Sequence, residues 1–349
     1  MRILTVNAGS TSVKVSLLDD DRTVGEYDGL EAALEDGDRL RQLDAVAHRV
    51  VHGGERTAPA RVDDELREEL ERLVEMAPLH QPPALAALDS CRTALPDVPH
   101  VACFDTTFHT SLPRGARTYA IPRRLRTRVH VYGFHGLSHA WSARRVAELA
   151  PEASRLVVAH LGGGESLCAV NDGHSVMTTM GFTPLDGLVM ATRSGTIDPG
   201  AVLWLARHTD EDLDRVLEKE SGLLGLCGSG DMREVLCRAD AGDDEAALAL
   251  EVYTHRLLRL LGGCVAALEG LDALVFTGGV GENSARVREL VTERLGWLDV
   301  RTGDPSPVSD GGPEDLELTA AGSRVRSFVI RAREDLQMAA EVRALLTAG

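Results

Sequence analysis

The stretch LVVAHLGGGESLCAV (156–170) decides the fold: an apolar β-prone run, three consecutive glycines, then a second apolar run. The chain opens on the same pattern, ILTVNAGSTSVKVSLL (3–18). Each reads as a hairpin whose loop is made of small residues. Two such hairpins, one early and one near the middle, imply two related halves and a duplicated α/β domain, not a single doubly wound sheet. Small residues let backbone N–H groups approach a phosphate closely. In the first loop Ser10 and Ser12 add hydroxyl donors and Lys14 adds a point charge. Either loop alone is equally an ordinary turn between strands, but two facing each other would clamp a polyphosphate. Neither is a Walker A loop, since G-x4-G-K-[ST] occurs nowhere.

Outward from these hairpins, strands alternate with helices. Residues 45–51 and 98–104 read as strands of the first half. Residues 62–77 carry Leu66, Leu70, Leu73, Val74 and Ala77 on one helical stripe, and a second helix is expected over 84–94, after Pro82 and Pro83. Residues 19–45 are polar, acidic and weakly patterned, and no element can be placed there. In the second half, 246–268 read as a long, largely apolar helix, 272–277 as a strand and 303–315 as a loop. A strand at 325–330 and a helix at 334–347 close the chain. The expected division is 1–110 plus 335–349 against 111–334.

The 349 residues suit two domains. Hydrophobic residues make up 44% and charged residues 26%, which is a globular composition. The formal charge of −17 argues against nucleic acid or an anionic membrane surface as a partner, so any anionic substrate needs local positive groups. Lys14 and Lys219 are the only lysines. The six cysteines form no C-x-x-C pair and sit mostly among apolar residues, as reduced core thiols do. The opening residues read as a strand rather than a leader, and no apolar run reaches about 18 residues. A cytoplasmic location without a membrane span is expected.

Two further patterns bear on chemistry. GGVGEN (278–283) follows a strand and precedes a helix expected from about Asn283. Ser284 stands where a dinucleotide fingerprint would have its last glycine, and too little chain follows for a Rossmann domain. A nucleotide-contacting turn at a helix N-terminus fits better. Charged residues also stand in apolar or Gly/Pro surroundings: Arg49, Asp105, His135 and Arg193. Taken singly, each is more often an ion pair, a cap or a core histidine than a catalytic group.

Taken together and in order, these segments resemble acetate kinase and the related short-chain acyl kinases. The matching stretches are NAGSTSVK (7–14), HRVVHGGE (48–55), APLH (77–80), FDTTFH (104–109), YGFHGLSH (132–139), HLGGGES (160–166), MGFTPLDGLVMATRSGTIDP (180–199), SGLLGLCGSGDMR (221–233) and FTGGVGEN (276–283). The resemblance implies the duplicated ribonuclease-H-like fold of the actin-like ATPases, with the active site in an interdomain cleft. It implies transfer of phosphate from ATP to acetate, giving ADP and acetyl phosphate. It further implies Mg²⁺, with Mn²⁺ as an alternative, and a homodimer.

Residue by residue, the resemblance makes Arg49 and Arg193 the active-site arginines, His135 the transition-state donor and Asp105 the catalytic aspartate. Asn7 and Glu334 become the metal-associated positions. Lys14, Ser10 and Ser12 form one phosphate loop, and His160, Leu161, Gly162, Gly163 and Gly164 the other. Asp231, Met232, Arg233, Gly279, Val280, Gly281, Glu282 and Asn283 fall in the adenosine segments. Val51, Leu79, Phe134 and Pro184 form the pocket for the acetate methyl. The chain departs from the family pattern at Gly163 and Gln81, each in place of Asn, and at Thr196 in place of Asp. It is also shorter over 19–45. A propionate or butyrate kinase, a pyrophosphate-using kinase and a catalytically weak nucleotide sensor on the same fold are the rival readings.

Overall fold

Arg2–Ala8 (β1) and Val13–Asp19 (β2) pair antiparallel, with Asn7 opposite Lys14. In this computed structural model, residues 1–9, 13–307 and 315–348 are described. Ser10 and Ser12 of the expected phosphate loop lie outside them. β2 turns back into Arg22–Asp28 (β3), completing an antiparallel meander. Ala45–Val50 (β4) runs parallel to β1. The two-residue Ala60–Arg61 (β5) edges His100–Phe104 (β6), which lies parallel to β4. The order is β3-β2-β1-β4-β6-β5.

The second sheet repeats this plan. Arg155–His160 (β7), Ser166–Asn171 (β8) and His174–Thr178 (β9) form a meander. Ala273–Thr277 (β10) runs parallel to β7. Thr302–Pro307 (β11) and Leu316–Thr319 (β12) lead into Arg326–Val329 (β13), parallel to β10. Its order is β11-β12-β13-β10-β7-β8-β9. The run β9-β8-β7-β10-β13 thus reproduces β3-β2-β1-β4-β6 in order and in relative strand direction. That is the duplication implied by the two glycine- and serine-rich hairpins.

The chain divides into two compact units. One comprises Met1–Thr110, Phe134–Trp141 and Arg333–Gly349; the other comprises Ser111–Gly133 and Ser142–Ala332. Phe134–Trp141 and Glu334, expected in the second half, fall in the first. The reason is packing: Leu137 and Trp141 join Ile3, Val101 and Met338 in one apolar cluster.

In the first unit both sheet faces are covered, so the strands read as continuous apolar runs. Ile3, Ala45 and Cys103 pack on the closing helix Glu334–Thr347. Leu4, Val6 and Val46 pack on the helix Gln81–Ala94. In the second unit Val157, Ala169 and Phe276 pack with Tyr253, Leu257 and Leu261 of the helix Asp244–Leu268, which Asp243 caps through the amides of Glu245 and Ala246.

Four expectations need correction. The helix expected over 62–77 spans only Asp64–Glu71. Its end tightens into a 3₁₀ turn at Val74–Met76, which brings Leu73 and Val74 against the core. Pro82 and Pro83 do not interrupt the next helix; they lie in its first turn, where an N–H is not needed. Thr302–Pro307 is a strand, not part of a loop. GGVGEN is itself a helix, Gly278–Asn283, and a new one starts at Ala285 with Ser284 as its cap. The unplaced stretch 19–45 supplies β3 and the short helices Leu30–Glu35 and Gly37–Leu40.

Candidate active site

In the first unit, Asn7, Arg49 and Asp105 stand at the carboxyl ends of the parallel strands β1, β4 and β6, where open α/β sheets present ligand-binding groups. Glu334 joins them from the start of the closing helix. The Arg49 guanidinium donates from Nε to both Asp105 oxygens at 3.2 Å and from Nη2 to Oδ2 at 2.7 Å. Its Nη1 donates to Asn7 Oδ1 at 3.0 Å and lies 3.5 Å from Glu334 Oε2. Asn7 Nδ2 in turn donates to Glu334 Oε2 at 2.5 Å. The Asp105 side chain is 1% exposed and that of Arg49 12%. Burial alone would oppose the charge on Arg49, but Asp105 and Glu334 outweigh it and raise its pKa. Burial pushes the Asp105 carboxyl up while Arg49 pulls it down. A bidentate pair of this geometry is charge-assisted and geometrically fixed.

His135 leads into the helix Gly136–Leu149 with φ 56°, a left-handed backbone that costs a non-glycine residue energy and so marks a constrained position. The next amide, Gly136 N–H, donates to the Asp105 carbonyl at 2.9 Å. A Cβ at 136 would come within 2.1 Å of that oxygen, so only glycine allows the approach. His139 packs edge-on against His109, whose Nε2–H donates to the Phe134 carbonyl at 2.9 Å. Burial lowers the His109 pKa to about 4, which keeps it neutral. Val51 and Phe134 are buried and Leu79 is partly exposed, all in this unit. Lys14 is exposed on β2.

Gln81, a departure from the family pattern, has a clear task. Fully buried, its Oε1 accepts from the His52 amide at 3.1 Å and its Nε2 donates to the His52 carbonyl at 3.0 Å. That clasp fixes the backbone next to Val51.

The second unit holds the expected nucleotide segments. The Leu161 amide donates to the Thr277 carbonyl at 2.9 Å, and the Leu161 carbonyl accepts from the amides of Val280 and Gly281 at 2.9 and 3.1 Å. This joins the turn Gly162–Gly164 to the turn of Gly279. Ala191 N–H reaches the Gly163 carbonyl at 3.4 Å, and Gly230 packs against Ala191. Segments 160–164, 190–193, 229–233 and 277–283 are therefore brought together. Asp231 caps the helix Met232–Asp240 and pairs with the exposed Arg233. His160 is partly exposed at the end of β7, Met232 is buried and Asn283 is exposed.

Glu282 is used internally: its Oε1 accepts from the amides of Gly278 and Ala332, both at 2.9 Å. A Cβ at Gly163 would meet nothing within 4 Å.

Arg193 is 7% exposed, and its Nη1 donates to the Pro184 carbonyl at 2.7 Å. No carboxylate lies within 4 Å of it among the described residues, and burial lowers its pKa against the pull of Glu218 and Glu165. Gly195, with φ 66°, carries its loop close over Leu188. Thr196 donates to Asp186 at 2.6 Å, so a second carboxylate there would face Asp186 directly.

Two residues escaped sequence reasoning: Glu165, buried just beyond the three glycines, and its partner Tyr253. A charged residue where a buried strand begins was the available signal.

Paired ribonuclease-H-like sheets, glycine turns at the strand ends and a buried arginine in each unit define a phosphotransferase built on the duplicated actin-like ATPase fold. The chain belongs to the acetokinase family, whose model matches residues 29–340. The acetate kinase of Pseudarthrobacter chlorophenolicus is 44% identical over 337 residues, covering 86% of this chain and 87% of that protein. The acetate kinase structure from Entamoeba histolytica superposes with a TM-score of 0.88 at 28% identity, covering 99% of this chain and 100% of that one. A propionate kinase structure from Francisella tularensis gives 0.84 at 32% identity, covering 97% and 98%.

Family membership implies a nucleotide and a divalent metal. Asn7 Oδ1 and the Glu334 carboxylate are oxygens of the kind a hard cation takes, and in this structure both face the Arg49 guanidinium, at 3.0 and 3.5 Å. Among the described residues, no three His, Cys, Asp or Glu side chains form a ready-made metal cage. No helix among them is long and apolar enough to cross a membrane.

Proposed function

We propose that the protein catalyses reversible phosphoryl transfer from ATP to acetate, giving ADP and acetyl phosphate. The observation that carries this is the convergence of Asn7, Arg49 and Asp105, from three separate motifs, with Glu334 of the closing helix in one largely buried charge cluster. An acetate oxygen attacks the γ-phosphorus as the bond to the ADP oxygen breaks. Acetate is already ionised at neutral pH, so no proton need be removed and no strong base is required. What the chain must supply is alignment and neutralisation of charge.

Arg49, aimed by Asp105, presents its guanidinium to the acetate carboxylate. His135 donates to an oxygen of the transferring group, and Arg193 neutralises the charge that develops on it. The backbone amides of Gly162–Gly164 and Gly279–Gly281 take the nucleotide phosphates, and Asp231–Arg233 the adenosine. Lys14 adds positive charge in the first unit. Asn7 and Glu334 would hold Mg²⁺, which supplies Lewis-acid neutralisation of the phosphate oxygens. Val51, Leu79 and Phe134 give the apolar surface for the acetate methyl.

The experiment is acyl-phosphate formation trapped with hydroxylamine, with acetate, propionate and butyrate in parallel. ATP and pyrophosphate serve as alternative donors. Fastest turnover with ATP and acetate is expected; none from folded protein that binds ATP would leave the sensor reading. The Francisella structure favours propionate as the second candidate acceptor.

The protein acts as a homodimer in this proposal. The helix Pro199–His208 buries none of its residues, and it leaves Leu203 61% and Trp204 55% exposed. Light scattering should give twice the chain mass, falling to one for Trp204→Glu. Six free thiols, five of them buried, support a cytoplasmic location.

A further inference from the structure

Glu165 stands where the glycine turn re-enters the sheet, one residue before β8 begins. It is 1% exposed. Its Oε1 accepts a hydrogen bond from the Tyr253 hydroxyl at 3.0 Å, and Tyr253, 2% exposed, projects from the middle of the helix Asp244–Leu268. Its Oε2 is buried with no hydrogen-bond partner. A buried carboxylate whose second oxygen has no hydrogen bond is costly, whereas a neutral acid is tolerable. Burial accordingly raises the Glu165 pKa well above the ordinary value, against the Tyr253 hydroxyl, the Gly162 amide and Arg193, which favour the charged form.

The turn beside it has no side chains of its own to hold it. Residues 162–164 are all glycine, so apart from the long Ala191–Gly163 backbone bond its shape comes from its two ends. On the β7 side, Leu161 is fixed by three backbone hydrogen bonds. On the β8 side, the side-chain anchor is the bond from Tyr253 to Glu165.

We propose that Glu165 and Tyr253 are a positioning pair that holds the Gly162–Gly164 turn in the shape its amides need for nucleotide phosphates. This rests on the kinase reading given above. The carboxyl acts in its neutral form: it anchors the turn through Tyr253 without setting a negative charge beneath the phosphates. Neither residue touches the nucleotide in this account.

The test compares wild type with Glu165→Ala, Glu165→Gln and Tyr253→Phe. MgADP affinity is measured by calorimetry, kcat and KM for ATP and acetate by hydroxylamine trapping, and folding by thermal melting. Wild-type turnover is established first, so failure of the kinase reading is seen separately from failure of the pair. Glu165→Ala should weaken MgADP binding and raise KM for ATP roughly five- to thirty-fold, the loss expected when a buried bond is removed. KM for acetate should stay within about twofold. Tyr253→Phe breaks the same bond at almost constant volume and should move the same constants in the same direction, which keeps the test available if Glu165→Ala does not fold. Glu165→Gln keeps the shape and an acceptor without a titrating proton, and should recover MgADP affinity. Unchanged affinity in folded Glu165→Ala and Tyr253→Phe would overturn the proposal. So would a Glu165→Gln protein as impaired as Glu165→Ala.

Discussion

Replacing Asp105 by Asn tests the charge cluster most directly. The substitution keeps the shape but removes the negative charge, and it turns one acceptor of Arg49 into a donor. Three contacts of 2.7–3.2 Å between Arg49 and Asp105 are affected. Breaking one side of a buried ion pair costs about 3–5 kcal/mol. Glu334 at 3.5 Å and Asn7 at 3.0 Å remain to receive Arg49, so the lower end, about 3 kcal/mol, is expected. With a urea slope of about 2 kcal/mol per molar, the unfolding midpoint of the first unit should fall by about 1.5 M. Trp141, packed against that unit's core, reports the transition by fluorescence. Turnover should fall about 10²–10³-fold because Arg49 is no longer aimed. A variant with wild-type midpoint and wild-type turnover would refute both the energetic and the catalytic reasoning.

Three further outcomes follow from the same geometry. Arg193→Met should cost about 10²–10³ in kcat, yet leave melting unchanged or slightly higher, because it removes a buried cation that has no carboxylate within 4 Å; a marked drop in melting temperature would contradict this. Gly195→Ala should destabilise the second unit by more than about 2 kcal/mol, since φ is 66° and the new methyl would lie 2.1 Å from the Leu188 carbonyl; normal melting would show the loop to be pliable. His48 is buried and its pKa is depressed from 6.5 to about 3, so the unfolded chain takes up a proton that the folded one refuses. Its share of stability is whole above pH 6.5 and is lost as pH falls toward 3, at about 1.4 kcal/mol per pH unit. Urea midpoints followed from pH 6.5 to 4 should drop less steeply in His48→Gln than in wild type; equal slopes would mean that His48 is not held neutral.

The duplicated plan was legible because two buried hairpins write themselves as apolar runs around small loops. The acidic segment 19–45 was not, because β3 is an edge strand with no fully buried residue and so carries little hydrophobic pattern. The 62–77 stripe overreached: Leu73 and Val74 do face the core, but from a 3₁₀ turn, and periodicity alone does not tell a tightened turn from another turn of helix. Arg49, Asp105 and His135 were named from motifs, whereas the contact of Arg49 with Asn7 and Glu334 spans the whole chain and has no local signature. Glu282 shows the converse: it sits in a nucleotide-like motif yet spends its carboxylate on the protein's own amides. Gln81 read as a departure and proves to be a fastener for the His52 backbone.

The empty surroundings of Gly163 have a consequence for how this sequence can drift. Gly195 and Gly222 are locked in place, because any side chain there would collide with backbone oxygens. At 163 a Cβ would strike nothing, so this position accepts a side chain without a compensating change in its neighbours. Within one glycine-rich sheet-end architecture, the packing thus leaves the middle of this turn open to substitution while it closes Gly195 and Gly222 to it.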